Sequence, residues 1–93
     1  MKMFLVAFNG DAPLLVERLK RLGSWARVTE NAYCVKRQCK SPVDLRELLL
    51  EKGETARMLV ADMTDCQWAT YKMPRPVAEW MKEDIESGEE EEL

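Results

Sequence analysis

Short apolar runs and amphipathic stretches alternate along the chain and predict its secondary structure. Residues 4–8 (FLVAF) are a continuous apolar run of strand length, typical of a central strand covered on both faces. After Asp11 and Pro13, leucines recur at helical spacing with charged residues mostly on the opposite side, which predicts an amphipathic helix. Asp11 is placed to cap this helix, and Gly23 is placed to end it.

Residues 25–37 have the composition of a β-hairpin. The strand-like segments lie on either side of Glu30-Asn31, a plausible turn in which Asn31 suits a positive φ. Because side chains alternate along a strand, we expect Trp25 and Arg27 to share one face.

A second helix has its own start signals. Ser41 is the predicted N-cap, Pro42 the first helical residue, and Asp44 occupies the capping-box position three residues after Ser41. An inner stripe of leucines follows, and Gly53 is expected to end the helix.

The remaining chain predicts one more strand and a C-terminal extension. Residues 58–63 are typical of a fourth strand, and residues 67–72 of either a short fifth strand or an irregular edge. Pro74 and Pro76 interrupt the pattern, and an apolar stripe beyond them predicts a final helix.

The order β-α-β-β-α-β predicts an α+β fold of the ferredoxin-like type. We expect a four-stranded antiparallel sheet with two helices on one face, and a C-terminal extension made of a short strand and a helix. Ninety-three residues suffice for one domain with a modest core. The predicted organisation is a ferredoxin-like domain over residues 1–82 and an acidic, disordered tail over residues 83–93.

Charge is divided unevenly between these two parts. The tail holds seven of the 17 acidic groups and none of the 14 basic ones, which leaves residues 1–82 with 14 basic and 10 acidic groups, a net charge of +4. Such a tail is either a disordered solubility tail, or it covers a basic surface or resembles nucleic-acid phosphate to a partner.

Residue usage disfavours several kinds of chemistry. The chain has no histidine, which removes the commonest general base and every Ser-His or Cys-His nucleophile pair. Its three cysteines lack C-x-x-C spacing and support neither a disulfide framework nor a zinc site. No apolar run approaches the roughly 20 residues of a membrane helix. We therefore expect a cytoplasmic protein without a membrane partner.

Three segments carry a resemblance to a known family: MFLVAFNGDAP, LKRLGSWARVTENAYCVK and LVADMTD followed by Trp68. They resemble the CRISPR-associated Cas-two-like proteins, and more closely the SinR-like group of small bacterial proteins. In that group a first strand ends in an aromatic-Asp pair, a helix leads to Gly-Ser-Trp and a hairpin, and a later strand runs into Thr-Gly and a Trp. The resemblance covers roughly residues 3–82.

The resemblance implies a ferredoxin-like homodimer built through the sheets, with the C-terminal segment crossing to the partner. Some members cleave RNA or DNA with a divalent metal, and others are non-catalytic DNA-binding scaffolds. The metal-linked Asp of the family corresponds to Asn9, and an amide is a poor substitute for a carboxylate on Mg²⁺. If the chain is a nuclease, Asp11 is the candidate catalytic residue, and Asn9 and Asp11 are the candidate ligands of Mg²⁺ or Mn²⁺.

Aromatic and basic residues are the candidate nucleic-acid contacts. An aromatic beside a cation on one sheet face, as with Trp25 and Arg27, suits base stacking with phosphate contact, and burial of Trp25 is the alternative. Other basic residues predict a phosphate-binding surface or, alternatively, a solvated face: Arg18, Lys20, Arg21, Lys36, Arg37 and Lys40.

The C-terminal extension contains the candidate dimer or partner interface. Trp68, Tyr71 and Met73 form an apolar series that is too exposed for a monomer. They predict an arm that adds a strand to a partner's sheet, with an irregular edge loop as the alternative. Trp80 is expected to be buried in the core or the dimer interface.

These features lead to one function hypothesis and two alternatives. The chain is predicted to be a non-enzymatic, homodimeric binding module without a cofactor that engages nucleic acid or a nucleic-acid-handling protein complex. The first alternative is a divalent-metal-dependent nuclease. The second is a phage or mobile-element protein that inhibits a bacterial defence complex.

Overall fold

The computed structural model describes residues 1–50 and 56–82 of the chain. Four strands and three helices follow one another in these ranges: β1 (Lys2–Phe8), α1 (Pro13–Arg21), β2 (Ser24–Thr29), β3 (Ala32–Arg37), α2 (Pro42–Leu49), β4 (Met58–Asp62) and α3 (Arg75–Lys82). Up to β4 this is the order that the hydrophobic pattern predicts.

The four strands form one antiparallel sheet in the order β2-β3-β1-β4. The apolar strand β1 lies in the middle, with Leu5 opposite Cys34 of β3 on one side and opposite Ala61 of β4 on the other. An α+β domain with a four-stranded antiparallel sheet is therefore confirmed, and the arrangement is compatible with the ferredoxin-like fold.

Helices α1 and α2 cover one face of this sheet. Side chains at alternate positions of β1, Phe4, Val6 and Phe8, are buried there because successive residues of a strand point to opposite faces. They form one cluster with the inner leucines of both helices: Leu15, Leu19, Leu45 and Leu49. The two helical stripes found in the sequence thus bury the same face of the sheet.

Helix α3 covers the opposite face. Its Met81 is buried with Met3 of β1 and Cys34 of β3, and Val77 and Trp80 pack at the margin of this second cluster. The sequence predicts the helix but not its face. Because the strand alternation exposes Met3 and Cys34 on the side away from α1 and α2, a third apolar element is required there.

The short fifth strand predicted over residues 67–72 is wrong, and the alternative of an irregular segment is correct. Directly after β4, the amide of Met63 donates to the carbonyl of Met3 at 2.8 Å, and Thr64 Oγ1 accepts from the amide of Met3 at 3.1 Å. These bonds tie the chain to the start of β1. Trp68 then packs against the Met3 cluster instead of continuing an edge of the sheet.

The helix starts follow the sequence in one case only. Ser41 caps α2 as predicted, its Oγ accepting from the amide of Asp44 at 3.3 Å. The prediction that Asp11 caps α1 is wrong. The N-cap is Ala12, in a left-handed conformation with φ of 40°, and no side chain caps the helix. Asp11 therefore lies one residue too early.

Two predictions fall outside the described residues, namely the stop signal at Gly53 and the tail over residues 83–93. Within residues 1–50 and 56–82, none of the helices has the length and apolar character needed to cross a bilayer.

The Cys34 thiol gives the second cluster a titratable group. Burial raises the pKa of Cys34 from 9.0 to about 11, and the neighbouring Lys36, which lowers it, only partly opposes this effect. Below pH 9.0 the thiol is protonated in both the folded and unfolded chain. Between pH 9.0 and about 11 only the unfolded chain releases the proton, so ionisation favours unfolding.

We therefore predict that the free energy of unfolding falls as pH rises above 9, by up to about 1.4 kcal/mol per pH unit from this group. Urea unfolding of the wild type and of Cys34→Ala between pH 8 and 10.5 measures the effect. The variant lacks the thiol, so its stability should decline less steeply. Parallel pH profiles would show that Cys34 makes no such contribution.

Candidate functional site

Strand β2 lies at one edge of the sheet and places Trp25 and Arg27 on the same face, as predicted. Their cross-strand partners are Val35 and Tyr33, which belong to the cluster under α1 and α2. Trp25 is 40% exposed although it is a large aromatic residue. Its position beside a cation at a sheet edge is therefore available to a ligand.

The Trp25 ring is held by two neighbours. The Lys20 ammonium lies 4.5 Å from its centroid, within the range of a cation–π interaction, and the Tyr33 ring lies 5.9 Å away. Lys20 comes from the last turns of α1, so the helix and the edge strand meet at this indole. The Arg27 side chain lies along β2, and its Nε donates to the carbonyl of Thr29, two residues later, at 3.3 Å.

The other predicted basic residues are distributed around the end of α1. Arg21 is exposed and pairs with Glu17 at 2.7 Å across one helical turn. Two further guanidinium groups bond to backbone carbonyls, Arg18 to Leu49 at 3.0 Å and Arg37 to Leu22 at 2.7 Å. The structure thus places Arg18, Lys20 and Arg21 on α1 and brings Arg37 to its C-terminal end, and of these four Lys20 contacts Trp25.

Lys36 does not belong to this surface, and its assignment to a phosphate-binding face needs correction. It is only 3% exposed, because strand alternation directs it to the face covered by α3. Its ammonium donates to the carbonyl of Trp80 and lies 4.4 Å from the Trp80 ring centroid. Lys36 therefore attaches α3 to the sheet.

An open cleft of about 570 Å³ lies between the start of α1 and the hairpin turn that joins β2 to β3. Its walls combine apolar groups with both signs of charge: Pro13, Val16, Tyr33, Lys20, Arg27, Asp11, Glu17 and Glu30, together with Gly10 and Asn31. The volume is within the usual range of small-molecule sites. The sequence analysis identified Arg27 and Asp11 separately but did not predict that they share a cleft.

The hairpin turn forms one side of this cleft through Asn31. The predicted turn at Glu30-Asn31 is present, but Asn31 does not have a positive φ. Its side-chain amide instead donates to the carbonyl of Gly10 at 2.6 Å, and its carbonyl accepts from the amide of Phe8 at 2.9 Å. These bonds hold the hairpin against the turn that follows β1. No local sequence pattern predicts a bond between Asn31 and Gly10, which are 21 residues apart.

Asn9, which the sequence resemblance aligns with a metal-linked Asp, has a structural role. Its side-chain Oδ1 accepts from the backbone amide of Arg57 at 2.6 Å, and its backbone N–H donates to the Arg57 carbonyl at 3.1 Å. The side chain therefore extends the β1–β4 ladder by one pairing. Asp11 is exposed and lines the cleft instead. The described ranges contain no group of three or more His, Cys, Asp or Glu residues suited to a metal ion.

The predicted interface residues divide into two kinds. Trp68 and Trp80 are partly buried against the second cluster, and the Trp80 indole donates to Ser24 Oγ at 2.7 Å. Met73 is also partly buried, whereas Tyr71 is 85% exposed. Tyr71 is thus the member of this set most available to a partner.

The bond from Arg57 to Asn9 predicts a graded effect of substitution. Asn9→Ala should lower the free energy of unfolding by about 0.5–1 kcal/mol, because it removes one solvent-exposed hydrogen bond. Asn9→Asp keeps an acceptor for the Arg57 amide and should stay closer to the wild type. Urea unfolding at pH 7 compares the three proteins. Equal stability of Asn9→Ala and the wild type would contradict the structural role.

Comparison with known proteins adds no identity to this geometry. No family model matches the chain, and neither the curated proteins nor the solved structures provide a significant match.

Proposed function

We propose that the protein is a cytoplasmic, non-enzymatic binding module of ferredoxin-like fold that acts as a homodimer on nucleic acid or on a nucleic-acid-handling protein complex. The strand order β2-β3-β1-β4, with α1 and α2 on one face, supports the fold assignment. It agrees with the resemblance to the Cas-two-like and SinR-like proteins.

The observation that carries the proposal is the exposed Trp25 on edge strand β2. Trp25 remains 40% exposed at the sheet edge although Lys20 lies over its ring, and Arg27 shares its face, so this edge presents both an aromatic surface and cations. Bases stack on aromatic side chains whatever their sequence, and neighbouring cations contact phosphates. Trp25 and the two cations provide both kinds of contact.

The surrounding charge supports the same ligand. Residues 1–82 carry a net charge of +4, and Arg18, Arg21 and Arg37 lie on α1 or at its end. Binding to such a surface releases counterions from the nucleic acid, so affinity falls as salt concentration rises. The proposal therefore predicts a salt dependence to which individual arginines contribute.

Binding is favoured over cleavage by the chemistry at the end of β1. The metal position of the resembling family is occupied by Asn9, whose oxygen is already bonded to the Arg57 amide. An amide engaged in this way is a weak ligand for Mg²⁺ or Mn²⁺, which prefer carboxylates. The nuclease alternative would depend on Asp11, an exposed residue in the cleft.

We predict that Arg27→Ala lowers the steepness of the salt dependence. For a single-stranded oligonucleotide, the slope of log K against log salt should fall by about 0.7, the contribution of one lost phosphate contact. Fluorescence anisotropy of a labelled 12-mer, recorded at salt concentrations from about 20 to about 200 mM NaCl, measures this slope. Arg75→Ala is the matched control, because Arg75 is an exposed arginine on α3.

Equal slopes for Arg27→Ala and Arg75→Ala would remove Arg27 from the interface. No binding even at low salt would contradict nucleic acid as the ligand.

The homodimer in this proposal is supported by exposed apolar side chains. Tyr71 is 85% exposed, and Leu59 of edge strand β4 is 63% exposed. Aromatic residues are enriched at protein–protein interfaces, whereas isolated exposed leucines are common on monomers. Tyr71 is consequently the better probe of dimer formation.

We predict that Tyr71→Ala weakens self-association at least tenfold, since truncating an aromatic interface anchor commonly removes more than about 1.4 kcal/mol. Sedimentation velocity over a concentration series measures the effect, with Tyr71→Phe as the control that keeps the ring. If the wild type is still a monomer at protein concentrations on the order of tens of micromolar, the homodimer is refuted.

A further inference from the structure

The cleft between α1 and the hairpin has a rigid apolar wall. Tyr33 is almost fully buried, and its ring packs against Phe8 at 6.1 Å and against Trp25 at 5.9 Å between centroids. Pro13 and Val16 of α1 contribute the rest of the wall. Because Tyr33 is only 6% exposed, Pro13 and Val16 provide most of the apolar surface that an uncharged ring could contact.

Some charged side chains around the cleft have protein partners among the described residues, and others do not. Lys20 contacts Trp25, Arg27 bonds to Thr29, and Glu17 pairs with Arg21. The carboxylates of Asp11 and Glu30, by contrast, are exposed, and no bond or ion pair from either is found in residues 1–50 or 56–82. Two acceptors without protein partners therefore stand beside an apolar wall.

This combination selects among the parts of a nucleic acid. Phosphate is repelled by Asp11 and Glu30, so it is directed to the cationic side at Lys20 and Arg27. A base is neutral and flat, and its exocyclic amino group donates hydrogen bonds to carboxylates. The cleft adjoins Trp25 through Tyr33 and Lys20, so one strand could contact both places.

We propose that the cleft receives one unstacked base of a bound single strand and prefers bases that carry an exocyclic amino group. Asp11 and Glu30 accept from that amino group, the wall of Pro13, Val16 and Tyr33 contacts the base, and Lys20 and Arg27 contact the flanking phosphates. This inference rests on the proposed nucleic-acid binding and adds a base preference to it.

The preference is tested with two homopolymers that differ mainly at the base edge. Oligo(dC) and oligo(dU) 12-mers are both pyrimidine strands, and cytosine presents an amino group where uracil presents a carbonyl. They also differ in stacking, but this contribution to the ratio is the same for the wild type and for a variant. The wild type should bind oligo(dC) about fivefold more tightly, at the low end of a base-edge contact. Anisotropy competition at low salt gives the ratio of the two dissociation constants.

The double variant Asp11→Ala/Glu30→Ala should bring that ratio close to one. Removing negative charge strengthens binding of both strands, but it acts on them equally, so the ratio isolates the base contact. Asp65→Ala is the control, because Asp65 is an exposed acid in the turn after β4, away from the cleft lining. It should leave the ratio unchanged.

The outcomes separate this inference from the proposed function. Equal affinity of the wild type for both strands, or a ratio that survives in the double variant, overturns the base cleft while nucleic-acid binding stands. Binding of neither strand overturns both. A ratio lost in the double variant and kept in Asp65→Ala supports the assignment of Asp11 and Glu30.

Discussion

The requirement to cover β1 on both faces determines most of this structure. Its apolar residues alternate without a polar face, so Phe4, Val6 and Phe8 need one layer and Met3 needs another. Helices α1 and α2 supply the first layer, and α3 with Trp68 supplies the second. The candidate site lies on β2, the edge strand that α1 covers only in part.

The candidate site is therefore a product of incomplete coverage. Tyr33 and Val35 belong to the core, whereas Trp25 and Arg27, their partners on β2, lie where the helical layer ends. The Trp25 side chain and the cleft therefore both adjoin a residue that is packed in the core. Trp25 packs against Tyr33, and the same Tyr33 is among the residues that line the cleft. Side chains placed on packed elements lose less conformational freedom on binding than side chains on long loops.

Several parts of this arrangement were predictable from the sequence, for reasons that are local. Alternation along β2 and β3 identified the face of Trp25, and Ser41 with Asp44 identified the start of α2. Long-range effects were not predictable. Lysine is usually exposed, and Lys36 is buried because α3 packs over it. Asp11 has the chemistry of a cap, but the left-handed Ala12 shifts the helix start. Asn31 bonds to Gly10 across 21 positions of sequence.

The bond from Lys36 to the carbonyl of Trp80 has a consequence for the chain before α3 is in place. Without the helix, the second face of the sheet would be an apolar surface open to other molecules, and such surfaces associate. Lys36, the cross-strand partner of Met3, would then present its ammonium on that surface, where the charge opposes association with a similar face. The same side chain that joins helix to sheet in the folded protein would thus also disfavour association of the sheet before α3 packs on it.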